Sequence, residues 1–119
     1  MRHALSFSLR DDAVVDDHVQ QSVLFREMVQ GRPDWLTCVS YECGPHRRVL
    51  VIDVADLDRV RALPALARYL DHLAERCSET PAHDVDGAVD PDPAYEVGRW
   101  DPVHDLWCIP YGWWIGDDR

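Results

Sequence analysis

The chain contains no lysine; all 12 of its basic residues are arginines. Every cation is therefore a planar, permanently charged guanidinium suited to bidentate pairing with carboxylates. No apolar run approaches the roughly 20 residues of a membrane-spanning helix. Met1–Arg10 alternates apolar and polar residues and lacks the continuous apolar stretch of an export signal, so a cytoplasmic protein is expected. Its four cysteines, Cys38, Cys43, Cys77 and Cys108, are then expected to be reduced thiols. Neither a GxGxxG nor a GKS/GKT phosphate cradle occurs, and no cofactor is expected. No internal repeat and no linker interrupts the chain.

What is present suits one small globular domain spanning 1–119. The chain is 46% hydrophobic and 29% charged, near the averages for soluble domains. Net charge is −10, which repels nucleic acid and anionic membranes and attracts basic partners. The charge is unevenly placed. From Glu79 to Asp118 there are ten carboxylates and one cation, Arg99, a net of −9. The first 78 residues hold twelve carboxylates and ten arginines.

Residues 4–9 alternate strictly and predict a half-buried strand. Asp11 and Asp12 offer helix caps, and Val15, Val19 and Val23 repeat at four-residue spacing, predicting a helix over about 12–29. Gly31 and Pro33 are expected to close it. Trp35–Tyr41 is rich in β-formers, Cys43–His46 reads as a turn, and Val49–Ile52 is a continuous apolar run of the kind found in central strands. Asp53 and Asp56 are capping candidates. Pro64 is expected either to kink a helix or to open a new one, and Leu66, Leu70, Leu73 and Cys77 then follow helical spacing. Ser78–Pro93 reads as a long acidic loop. Tyr95–Trp100 and Leu106–Ile109 are short strand candidates inside an aromatic, acidic C-terminal segment over about 95–119.

This order predicts an α+β two-layer sandwich, an antiparallel sheet with two helices on one face, in the ferredoxin-like βαββαβ order. The other sheet face must then be solvated or covered by a partner.

Trp100, Trp107, Trp113 and Trp114 fall within fifteen residues, with Tyr95 and Tyr111 nearby. Tryptophan and tyrosine dominate interface hot spots. Rings set among carboxylates can also meet an arginine-rich partner through cation–π contacts and bidentate pairs. Trp107, mid-strand, is expected to cover the sheet or fill the core, and Trp113 and Trp114 cannot both point inward from an extended strand. The expected partner-binding residues are Trp100, Asp101, Asp105, Tyr111, Trp113, Trp114, Asp117 and Asp118. No catalytic residue is assigned. Cys43 beside His46, and Asp101 with His104 and Asp105, could support thiolate or proton-transfer chemistry. Cys43-x2-His46 and His104-x3-Cys108 have spacings compatible with zinc but lack a CxxC knuckle, and no metal is expected. The pair Arg47-Arg48 is expected to meet the acidic tail rather than nucleic acid.

The resulting expectation is a binding protein that neutralises a larger basic partner, such as a nucleic-acid-handling toxin or defence complex, without contacting nucleic acid or membrane. In profile, though in no specific motif, the chain resembles small inhibitors such as toxin-immunity proteins and phage-encoded anti-defence proteins, anti-CRISPRs among them. The alternatives are a ferredoxin-like regulatory or ligand-binding domain that pairs with a second copy through its sheet, and a small enzyme using Cys43 or Asp101/His104.

Overall fold

The computed structural model describes residues 1–86, 95–104 and 106–108. Its elements run β1 (Arg2–Ser8), α1 (Val14–Gly31), β2 (Leu36–Glu42), β3 (Arg47–Val54), α2 (Pro64–Arg76), β4 (Ala82–Asp84), β5 (Tyr95–Asp101) and β6 (Leu106–Cys108). Short 3-10 turns at Asp11–Ala13 and Leu57–Ala62 lead into the two helices. The six strands form one antiparallel sheet in the order β4-β1-β3-β2-β5-β6. The class is α+β, as the sequence order implies.

Period-two alternation divides the strand residues between the two sheet faces. In register, His3, Ile52, Cys38 and Trp100 stand side by side across four strands. They share the face covered by the helices. There Phe7, Leu50, Ile52 and Cys38 join Leu24, Phe25 and Met28 of α1 and Leu66, Tyr69 and Leu73 of α2 in one buried cluster. Each large apolar side chain so buried contributes about 1.5–3 kcal/mol against exposure. Ala4, Val51 and Val39 are the matching row on the opposite face. A smaller cluster of Ala4, Val49 and Val51, with Tyr41 and Cys43 against it, occupies that side.

Several sequence expectations change here. The acidic loop is shorter than expected, because Ala82–Asp84 pairs with Ala4–Ser6 as edge strand β4. All three residues are exposed, so backbone pairing rather than an apolar pattern defines the strand. The strand following the second helix is thus β4, while β5 and β6 extend the sheet beyond β2. Pro64 opens a fresh helix at its first position, where its missing N–H costs nothing. Asp56, not Asp53, caps the preceding 3-10 turn by accepting from the Asp58 amide at 3.0 Å. Gly31 is the last helical residue, and Arg32 takes the left-handed position with φ of 45°. Its amide donates to the Met28 carbonyl at 2.8 Å.

Helix α1 is oriented against its valine pattern. Val15, Val19 and Val23 point outward, while Asp17, Gln21 and Ser22 are buried with Leu24, Phe25 and Met28. The helix is held close to β5, where a Cβ on Gly98 would lie 2.7 Å from the Phe25 ring. Only glycine lets the strand and helix approach this far. Among the described residues no helix is long and apolar enough to cross a membrane.

Candidate functional site

Two polar constellations stand out, one on each side of the sheet. The first is a groove of about 360 Å³ on the face opposite the helices. Thr37, Val39 and Tyr41 of β2 and Val51 of β3 form its floor, and Arg2, Asp53, Arg99 and Asp101 supply charge. Val103 and His104, just beyond β5, close one side. Alternation explains the composition: Arg2, Asp53 and Thr37 are register partners, as are Val51, Val39 and Arg99.

Inside this groove Asp101 and His104 form a dyad. His104 Nδ1 lies 2.8 Å from Asp101 Oδ2, and the His104 amide donates to Oδ1 at 3.3 Å. An ionised carboxylate only accepts, so the ring carries its proton on Nδ1 in this contact. The hydrogen bond from His104 holds the Asp101 carboxyl below the usual carboxylate range, against the upward pull of desolvation. Arg99 lies beside it, with Nη1 3.4 Å from Asp101 Oδ2 and a second pairing to Glu96. The Glu96 contact raises the Arg99 pKa further and keeps the guanidinium charged. His104 is 68% exposed by side chain, and its Nε2 lies on the far side of the ring from the carboxylate. An oriented imidazole of this kind can accept a proton from a bound molecule. The groove lining carries both signs, Arg2 and Arg99 against Asp53 and Asp101, and each guanidinium has the planar fork that pairs with a carboxylate or phosphate.

The second constellation is buried between the helices and the sheet. Tyr69 Oη donates to Asp17 Oδ1 at 2.8 Å, and Gln21 Nε2 donates to Asp17 Oδ2 at 3.0 Å. Ser40 Oγ donates to Gln21 Oε1 at 2.9 Å. Arg48 Nε stands 3.8 Å from Asp17 Oδ2, and its Nη2 stands 3.6 Å from Glu42. Arg48 Nη1 caps the β2–β3 turn by donating to the Gly44 and Arg47 carbonyls, each at 3.0 Å. Its Nη2 is buried without a hydrogen-bond partner among the described residues. Burial raises the Asp17 pKa, more than Tyr69 and Arg48 pull it down. Burial also pushes the Tyr69 hydroxyl and the Cys38 thiol upward. Both Asp17 oxygens accept, and the hydrogen-bonded network of Asp17, Gln21, Tyr69, Ser40 and Arg48 ties α1, α2, β2 and β3 together.

The residues expected to bind a partner are divided by the structure. Trp100 is 2% exposed and belongs to the core. Its indole N–H donates to the Pro33 carbonyl at 2.8 Å, and Arg32 lies over its ring at 5.8 Å. It is a packing residue, placed inward because its register partner Cys38 faces the helices. Trp107 is the cross-strand partner of Trp100. Asp101 is in the groove, recessed rather than displayed. Asp105, Tyr111, Trp113, Trp114, Asp117 and Asp118 lie outside the described residues. The carboxylates that are described do not gather in one patch: Asp84 and Asp86 lie at the β4 edge, and Glu96 and Asp101 on β5, near the other.

The other candidates are separated too. His46 pairs with Asp11 and not with Cys43, which packs against the Ala4–Val49–Val51 cluster. His104 is engaged by Asp101. Among the described residues no three metal-ligating side chains converge, and Cys108 presents no described side chain. Arg48, expected to meet the acidic tail, is instead 1% exposed beside Asp17, while Arg47 donates to Ser6 Oγ.

Sequence reasoning reached Asp101 and His104 but not the rest of the groove. Alternation could have placed Thr37, Val39 and Tyr41 on one face; only the pairing of β1, β3 and β2 brings Arg2 and Asp53 beside them. Comparison with protein-family models, with curated proteins and with solved structures finds no match to this chain.

Proposed function

We propose that the protein works by binding a larger basic protein, in the manner of a toxin-neutralising or anti-defence inhibitor. One observation carries this reading: residues 79–118 hold a net charge of −9 out of −10 for the whole chain. Such a segment steers a cationic partner to the surface and accelerates encounter. The described part of it borders the sheet face opposite α1 and α2. Charged groups at the Asp84 edge and around Asp101 flank the apolar strip of Val39, Tyr41 and Val51 between them. Trp113 and Trp114 are the anchors this reading assigns within the segment.

Affinity capture with the full chain at low and high salt tests it. The expected result is one dominant basic protein, released as salt rises. Trp113→Ala is expected to weaken the purified complex by about 2 kcal/mol or more. Undiminished binding by that variant removes Trp113 as an anchor. Capture that is insensitive to salt, or of acidic proteins only, removes the electrostatic reading itself.

The Asp101–His104 dyad supports a second reading, proton transfer on a small anionic substrate held by Arg2 and Arg99. Here His104 Nε2 is the base, and Asp101 fixes the ring and its tautomer. Screening the protein against phosphate and carboxylate esters, with His104→Ala as control, tests it. Turnover that the variant retains excludes His104, and no turnover across the panel leaves binding as the function.

A further inference from the structure

A second cavity, of about 280 Å³, lies on the helix side of the sheet at the β4 edge. His3 and Leu5 of β1 line it beside their register partners Ile52 and Leu50 of β3, and His83 of β4 stands across from Leu5. Leu57 of the second 3-10 turn and Leu70 of α2 complete the lining. Leu50 and Ile52 are buried, whereas Leu57 and His83 are exposed. The cavity is therefore floored by β3 and opens between the 3-10 turn and β4. Apart from the two histidines, its lining is leucine and isoleucine.

The histidines supply one polar end. His3 Nδ1 lies 3.1 Å from His83 Nε2, which fixes the ring from one side. His3 is 8% exposed, and its Nε2 has no hydrogen-bond partner among the described residues. Arg48 Nη2 is the sole described side-chain atom both sealed and unpaired, so His3 Nε2 remains reachable. A neutral imidazole either donates or accepts at Nε2, according to what Nδ1 does toward His83.

The lining also narrows what fits. No carboxylate or guanidinium belongs to it among the described residues, so an ion of either sign would lose hydration without gaining a counter-charge. The net charge of −10 opposes an anion further. An ordered water needs about two to four polar partners, and aliphatic walls offer none. A hydroxyl both donates and accepts, so it meets His3 Nε2 in either tautomer. We propose that this cavity binds a small neutral alcohol or phenol, its apolar body against Leu5, Leu50, Ile52 and Leu70 and its hydroxyl on His3 Nε2. At the packing density of a protein interior the volume holds about ten non-hydrogen atoms. The site lies across the sheet from the Asp101–His104 groove and does not rest on the proposed function.

Titration of the full chain with 4-propylphenol, a probe of that size, followed by amide and methyl chemical shifts, is the test. Saturable shifts confined to residues around the cavity are expected below millimolar concentration. The anion 4-ethylbenzoate should bind more weakly. Propylbenzene lacks the hydroxyl, and His3→Leu should lower the ratio of 4-propylphenol to propylbenzene affinity roughly three- to tenfold, the worth of one hydrogen bond. Leu57→Trp, at the exposed rim, should obstruct both probes while circular dichroism and the thermal midpoint hold, so the test stands even if His3→Leu fails to fold. Shifts that do not saturate, or that scatter away from the cavity, overturn the proposal. So does tighter binding of 4-ethylbenzoate, an affinity ratio unchanged in His3→Leu, or undiminished binding by Leu57→Trp.

Discussion

Asp17 and Asp101 are both buried aspartates facing an arginine, on opposite sides of one sheet, and their acidities move in opposite directions. Asp17, on the inner side of α1 and facing α2 and the sheet, is 1% exposed, and desolvation raises its pKa despite Tyr69 and Arg48. Asp101 sits in a groove, and hydrogen bonds from His104 lower its pKa. Contact with an arginine does not by itself decide the charge state. What decides it is how far water has been removed, set against the number of donors in place. The helix side uses its polar groups to fix packing, while the groove side keeps a charged dyad beside an accessible ring.

The largest expected effect comes from taking Arg48 away. Arg48→Met should cost about 3–5 kcal/mol in urea unfolding, because Asp17 and Glu42 lose their buried cation. A cost within that of an exposed pair, about 0–1 kcal/mol, would make the two sides alike. Tyr69→Phe should cost about 1–3 kcal/mol by leaving Asp17 Oδ1 without its donor.

The pH dependence should then separate the two carboxylates by sign. The Asp17 pKa is raised in the folded state, so its favourable contribution is complete below its ordinary value of 3.8. That contribution is lost as pH rises through the folded value. Asp17→Asn should therefore gain stability relative to the parent as pH rises above 3.8. A difference that stays flat with pH would show that Asp17 ionises as it does when unfolded. Asp101 runs the other way: its contribution is present above 3.8 and lost as pH falls through its lower folded value.

The smallest expected effect is that of Asp101→Asn near neutrality, about 1 kcal/mol or less because the groove admits water. Its signature is elsewhere. Nitrogen chemical shifts of His104 should show a smaller Nδ1–H fraction once the carboxylate is gone. An unchanged tautomer would mean that Asp101 does not orient the ring.

The sequence alone determined the class and most of the elements. Alternation at 4–9, the run Val49–Ile52, and Pro64 followed by leucines at helical spacing are local signals, and each element formed where its signal lies. Asp101 and His104 were legible as a pair for the same reason, being three residues apart. What tertiary structure decided was which side each element shows. The α1 pattern offers two faces, valine or mixed, and the buried one was chosen by partners distant in sequence: Tyr69, Ser40 and Arg48 for its polar groups, and Gly98 for Phe25. Trp100 turned inward because β5 joined β2 in a register that aligns it with Cys38. β4 had no apolar pattern to read, since an edge strand is made by backbone pairing to its neighbour. Periodicity along a chain fixes an element's type, whereas facing and register depend on contacts between residues far apart, which no local window contains.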